Sequence, residues 1–288
     1  MKKILITGAG SYIGCSFEKF IKTQDGEYSV DTVDMRGDAW RDVSFSGYDA
    51  VFHVAGIAHS DSGRCGDRDD IYNAINTRLA VETAEKAKAD GVGQFIFMSS
   101  IVVYGDSAAP GKRKVITADT VPSPSNRYGE SKLEAEAGIL PLSDDGFRVA
   151  VIRSPMVYGR GSRGNYPRLS ALAQKLPAFP RVKNERSMIY IVNLCRFVKL
   201  LIDDRLSGIF FPQNAEYTDT GEMVRMIAAA HGKKIRLVGG FGWLLGILGH
   251  FTGAVGKAFG SLTYDRALSV YPGFECISLE ESVNETER

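Results

Sequence analysis

A chain of 288 residues, 44% of them hydrophobic, is long enough to bury a sizeable core and to form one large domain with a smaller lobe attached. With 35 Lys and Arg against 34 Asp and Glu the net charge is +1, which excludes a general nucleic-acid-binding surface. Cys15, Cys65, Cys195 and Cys276 are widely scattered, and His53, His59, His231 and His250 show no ligand spacing. The expectation is therefore no metal site and, with no secretory signal ahead of the cysteines, free thiols in a reducing cytoplasm.

The first element reads as a buried strand up to Thr7, followed by a glycine turn through Gly8, Gly10, Ser11, Tyr12, Ile13 and Gly14 and by helical spacing from Cys15 to Lys22. A glycine-rich turn between strand and helix lets backbone approach a pyrophosphate and aims the helix N-terminus at its charge. Val30 to Asp34 reads as a second strand ending in an acid placed to take the ribose hydroxyls. Arg36 follows two residues later and would reach a ribose 2′-phosphate, which Asp34 repels, so the pair favours NAD over NADP.

Val51-Phe-His53-Val54-Ala55-Gly56 is a further strand and its end, and Ile57 to Asp70, rich in Ser, Gly and Asp, reads as a loop near the mouth of a site. Gln94 to Gly105 begins as an apolar strand and ends in two hydroxyls, Ser99 and Ser100. In a parallel doubly wound sheet ligands bind beyond the carboxyl ends of strands, where these serines emerge. The stretch Asp106 to Asn126, with Pro110, Pro122, Pro124 and the basic run Lys112-Arg113-Lys114, reads as a loop whose charges are solvated.

Next comes Tyr128-Gly-Glu-Ser-Lys132 in a helical segment. Four-residue spacing stacks phenol and ammonium on one helix face. Lowering a tyrosine pKa from about 10 to about 7 needs about 4 kcal/mol. One unit charge about 4 Å away, at an effective dielectric near 20, supplies about that much. The pair thereby becomes a candidate proton-transfer couple.

Strands and helices alternate to about residue 153, which predicts an α/β fold, a doubly wound parallel sheet with helices on both faces, and a smaller C-terminal lobe. The boundaries expected are 1–153, joined by about 185–212, for the first domain, and 154–184 with 213–288 for the lobe. Glu222 to Gly232 reads as an amphipathic helix. Phe241 to Gly260 is apolar, but glycines, His250 and Lys257 interrupt it, so no transmembrane span is expected.

The glycine turn, the strand-end Ser100 and Tyr128-x-x-x-Lys132 occur in the order seen in extended short-chain dehydrogenases/reductases. The chain resembles that family's nucleotide-sugar epimerases and dehydratases, with a Rossmann-type dinucleotide-binding domain. Further matching stretches are Val51 to Gly56, Asn76 at a helix start, Arg153-Ser-Pro155-Met-Val-Tyr158-Gly159, Arg186 to Asn193 and Ser278 to Ser282. The resemblance implies that Tyr128 is the acid/base on the sugar hydroxyl, that Lys132 holds the nicotinamide ribose and lowers the Tyr128 pKa, and that Ser100 bonds the same sugar oxygen. It places Asp42 and Val43 beside the adenine. Val54, Ala55 and Gly56, with Ser99 and Pro155, line the cofactor. Asn165 and Arg186 face the substrate, Arg186 clamping the diphosphate.

The chain departs from the family pattern at Ser11, where the middle glycine of Gly-x-x-Gly-x-x-Gly belongs while Gly10 sits one place earlier. Either the turn is rearranged or Ser11 adds a hydroxyl contact to phosphate. Family dehydratases carry Asp-Glu directly after the strand-end hydroxyl, and 3,5-epimerising reductases carry Cys at the first of these places. Here Ile101 and Val102 stand there, which leaves redox at a single carbinol. The resemblance thus implies an NAD-dependent 4-epimerase acting on a nucleotide sugar, UDP-linked, through a 4-keto intermediate. The alternatives are an NAD(P)H-dependent 4-keto nucleotide-sugar reductase and, without catalysis, a cofactor-sensing or scaffold protein. Relatives dimerise through helices corresponding to 70–90 and 125–139, so a homodimer is a further expectation.

Overall fold

The computed structural model describes residues 1–24, 26–58, 70–240 and 259–288. His59, Cys65 and His250, the greater part of the loop 57–70 and the apolar stretch 241–260 up to residue 258 lie outside these residues. In chain order the strands are β1 Lys2–Thr7, β2 Tyr28–Val33, β3 Ala50–His53, β4 Gln94–Ser100, β5 Val115–Ile116, β6 Arg148–Ser154, β7 Met156–Tyr158, β8 Ala178–Pro180, β9 Met188–Tyr190, β10 Gly208–Phe210, β11 Arg236–Val238 and β12 Thr263–Tyr264. The α-helices are α1 Tyr12–Ile21, α2 Leu79–Ala89, α3 Arg127–Ile139, α4 Asn165–Lys175, α5 Ile191–Asp203, α6 Thr220–Ala230 and α7 Leu279–Glu287.

The chain divides into two compact units, one of residues 1–105, 121–154 and 195–212, the other of residues 106–120, 155–194 and 213–288. The first is built on a six-stranded parallel sheet in the order β10-β6-β4-β3-β1-β2. From β1 the chain moves outward to β2 on one side and then to β3, β4, β6 and β10 on the other. The order therefore reverses between β1 and β3, the place where open α/β sheets bind ligands at the carboxyl ends of their strands. Strands buried on both faces read as nearly unbroken apolar runs, and Ile4, Leu5, Ile6, Val51, Phe52, Phe95, Ile96, Val149 and Val151 are accordingly buried. The small residues Ala80, Ala84 and Ala87 of α2, with Ala135 and Ile139 of α3, pack on one side of this sheet in a core shared with Phe95, Phe97 and Val149.

In the second unit β7 pairs with β9, β8 with β11 and β5 with β12, all parallel. Helix α6 runs from Thr220 where the periodicity predicts Glu222, its N-terminus capped by Asp219 accepting from the Glu222 N–H at 3.1 Å. The stretch 106–126 is not loop throughout, because Val115 and Ile116 form a strand against Thr263 and Tyr264. Two residues, one of them exposed, carry no period-2 signal, and the pairing partner lies far along the chain. The basic run stays at the surface, with Arg113 paired to Glu185 at 2.5 Å and Lys114 donating to the Asp106 carbonyl at 2.9 Å.

Candidate active site

Helix α3 begins where Asn126, extended and following the prolines at 122 and 124, accepts a hydrogen bond from the Gly129 N–H at 3.0 Å. Glu130 occupies the favourable acidic position in the first turn. Gly129 is needed for close approach: a Cβ built there would lie 2.8 Å from the Val102 carbonyl oxygen and 2.9 Å from Pro124 Cβ. This lets the start of α3 come against the 3-10 turn Ile101–Tyr104 that follows β4. The Ser100 hydroxyl consequently lies close enough to the Tyr128 phenol to act on its pKa. Ser100 also caps that turn, accepting from the Val102 N–H at 3.4 Å.

Lys132 lies one turn after Tyr128 on the same face, as the spacing requires, but its ammonium is directed at β4, donating to the Met98 carbonyl at 2.8 Å and lying 4.6 Å from the centre of the Phe97 ring. Burial lowers its pKa to about 8, with Glu136 opposing the fall. The effect on Tyr128 is opposite to the one the sequence predicts. Burial raises the phenol pKa, the Ser100 hydroxyl pulls it down, and Tyr72, whose ring centre is 6.2 Å away, pushes it up. The reason is that the lysine ammonium is engaged by a strand carbonyl, and burial of the phenol dominates.

At the cofactor turn, Gly8 and Gly10 have φ of +113° and +77°. A Cβ on Gly8 would lie 2.8 Å from Ala55 N, so the turn after β1 packs directly on Val54 and Ala55 after β3. Ser11 caps α1, its hydroxyl accepting from the Gly14 N–H at 3.1 Å. The helix therefore starts at Tyr12, three residues earlier than its spacing suggests, with Ile13 in its first turn. Tyr12 is packed so that burial raises its phenol pKa. Gly56 comes against Asn76 and Lys132. Asp34, just beyond β2, is held by Arg36, whose Nε and Nη2 donate to it at 2.9 and 2.6 Å. Arg36 thereby holds the Asp34 carboxyl below its usual range. A turn open to close backbone approach, a capped helix start behind it and an acid at the end of the next strand are the donor and acceptor set that a dinucleotide takes.

Other predicted site residues lie elsewhere. Ser99 is turned to the opposite face of β4 from Ser100 and donates to Glu136, as alternation along a strand requires. Asp42 ends the 3-10 turn Ala39–Asp42 and Val43 follows it, partly exposed. Pro155, Asn165 and Arg186 belong to the second unit. Asn165 opens α4, and Arg186 bridges Thr218 and Leu262, its Nη1 donating to the Gly260 carbonyl at 3.3 Å.

Sequence reasoning assigned no role to three groups that the structure ties to this region. Asn76 lies in the π-helical stretch Asn73–Arg78 that leads into α2, a rare geometry enriched at functional positions. Fully buried, it accepts from the Ile57 N–H at 2.9 Å and donates to the Ile57 carbonyl at 3.0 Å and to Ser131 Oγ at 3.1 Å. Glu136 and Arg153 form a buried ion pair at 2.6 Å. The signal for that pair was present: a lone arginine in the apolar strand Val149 to Ser154, and an acid four residues beyond Lys132 on the same helix face.

The sequence matches the NAD dependent epimerase/dehydratase family over residues 4–210. Among similar proteins, UDP-glucose 4-epimerase of Vibrio cholerae is 29% identical over 254 residues, covering 81% of this chain and 76% of that one. GDP-6-deoxy-D-mannose reductase of Pseudomonas aeruginosa is 28% identical over 184 residues, 60% of this chain and 58% of the relative. In fold the chain resembles UDP-glucuronic acid 4-epimerase from Bacillus cereus in complex with NAD, with a TM-score of 0.73, 18% identity and coverage of 99% of this chain and 97% of that one. With the family matched across most of its length and a parallel sheet whose order reverses beside the glycine turn, the chain belongs to the NAD-dependent epimerase/dehydratase family.

Proposed function

We propose that this chain is an NAD-dependent nucleotide-sugar 4-epimerase. The observation that carries the reading is the meeting of Ser100 and Tyr128 at the end of β4, where α3 packs on the turn after that strand, with Lys132 one turn behind and only Ile101 and Val102 where a second acid/base pair would stand. Gly8, Gly10, Ser11, Tyr12, Ile13 and Gly14 would carry the pyrophosphate, Asp34 the adenosine ribose, Asp42 and Val43 the adenine, and Val54 to Gly56 and Pro155 the rest of the cofactor, whereas Ser99, turned to Glu136, would not reach it. NAD held there would supply a reversible hydride acceptor for C4 and a positive ring charge beside the phenol. Tyr128 removes the C4 hydroxyl proton and gives it back, Ser100 bonds the same oxygen, and Lys132 holds the nicotinamide ribose. Asn165 and Arg186 would meet the sugar and the diphosphate.

The V. cholerae relative, named for UDP-glucose 4-epimerisation, supports a UDP-linked substrate. The test is direct: purified protein with NAD should interconvert UDP-glucose and UDP-galactose or their N-acetyl forms, and no interconversion of any of them would sink the reading. A second reading, a one-way 4-keto nucleotide-sugar reductase, is favoured by Arg36 beside Asp34, which suits a 2′-phosphate, and by the P. aeruginosa relative. Stoichiometric loss of NADPH on adding a 4-keto nucleotide sugar would establish it instead. A silent cofactor-sensing role would be favoured by an unchanged cellular phenotype in Tyr128→Phe. Among the described residues Cys15 and Cys195 carry free thiols, which suits a cytoplasmic setting. The assembly proposed is a homodimer through 70–90 and 125–139, and a monomeric mass by light scattering would reject it.

A further inference from the structure

Three consecutive residues of β4 engage three residues of α3 spaced by successive helical turns. Ser100 lies against Tyr128, the Met98 carbonyl takes the Lys132 ammonium at 2.8 Å, and Ser99 donates to the Glu136 carboxylate. The Glu136 side chain is 1% exposed, and its carboxylate also receives Arg153 Nε at 3.1 Å and Nη2 at 2.6 Å. β6 places Arg153 directly beside Ser99 in the sheet register, and Arg153 Nη1 donates to the Tyr104 hydroxyl at 2.6 Å. Apolar side chains of the same volume would fill this space at no electrostatic cost, so stability alone gives no reason for a buried carboxylate one turn from Lys132.

We propose that Glu136 is a positioning residue: clamped by Ser99 and Arg153, it seats α3 on the end of β4 and supplies the negative charge that holds the Lys132 ammonium in its cationic form. The proposal rests on the reading of Lys132 as the ribose-holding group of an epimerase. Among the described residues, the titratable groups that bear on Lys132 are His53 from β3 and Glu136 on α3 itself, with Arg153 from β6 paired to Glu136, Tyr104 bonded to Arg153, and Tyr128 one helical turn before Lys132. Burial keeps His53 neutral above about pH 3, and Glu136 is the acid of this set. Arg153 pairs with that acid at 2.6 Å and keeps the buried carboxylate charged.

The experiment is a pH titration of the Lys132 13Cε resonance in the full chain without substrate, assigned by its loss in Lys132→Arg. The wild-type midpoint is expected near 8. Glu136→Gln should move it down by about a unit, a tenfold loss of the cationic form at pH above the midpoint. The double variant Glu136→Leu/Arg153→Met keeps an apolar, packed filling and should still move it down, because Glu136 shares the helix face with Lys132. In the same order, the alkaline limb of kcat/KM should follow the midpoints. A midpoint unchanged in Glu136→Gln or in the double variant would overturn the proposal. Because the titration needs no turnover, a chain that fails to epimerise any sugar leaves this result standing on its own.

Discussion

His53 is fully buried, its Nδ1 paired with Thr7 Oγ1 at 2.7 Å and its ring stacked on Phe95 and Phe97 at 5.7 and 6.0 Å. Burial first, and the Lys132 charge second, hold its pKa down to about 3. Its folded value lies below its unfolded value of about 6.5. The unfolded chain therefore binds the extra proton between these limits, and stability is lost as pH falls through that window. Urea denaturation of wild type at pH 6.5 and pH 5 should show about 2 kcal/mol of loss from this residue, a component that His53→Gln removes. Tyr128 is governed by the same burial. Tyr128→Phe should keep NAD binding, read by protein fluorescence, while turnover drops by about 100-fold or more; near-wild-type turnover would assign the proton to another group.

Helix α3 was readable in outline from Tyr128-x-x-x-Lys132, and its capping residue Asn126 is of the expected type, because helical periodicity and N-caps are local signals. What could not be read is where each side chain ends. Ser99 and Ser100 look alike in sequence, yet alternation along β4 sends one to Glu136 and the other to Tyr128. The role of Asn76 depends on contacts with Ile57 and Ser131, residues that only the fold brings together. Strand β5 escaped for the same reason, its partner β12 being distant in sequence. Asn76→Ala strips partners from a backbone N–H, a carbonyl and a hydroxyl, and a loss of about 2–4 kcal/mol is expected in chemical denaturation. Gly129→Ala must push α3 off the 102 carbonyl. The measurable result is a fall in kcat with a smaller change in melting temperature, since the displaced atoms are those that hold Tyr128 to Ser100.

At the scale of the molecule, the glycine turn, the second-strand acid and the alternation of strands and helices made the parallel sheet legible, whereas the pairings that close it join distant parts of the chain. β10, the edge strand beside β6, comes from residues 208–210, and Lys2 at the start of β1 donates to the Ile202 carbonyl at 3.1 Å and pairs with Asp203 at 3.1 Å. Asp203 also accepts from Tyr28 at 2.5 Å and Lys199 at 2.7 Å. A chain ended after Ser154 lacks α5 and β10 and bares the edge of β6. Such a truncation should be recovered mostly in the insoluble fraction, and a soluble fragment with cooperative melting would show that these closing segments are dispensable. Synthesis runs from one end only, so the earliest strand emerges from the ribosome with its tether still untranslated and must wait through the whole intervening stretch before Asp203 arrives. During that interval the nascent polypeptide carries an incomplete barrier against self-association, which makes elongation rate and chaperone supply determinants of its yield in the cell.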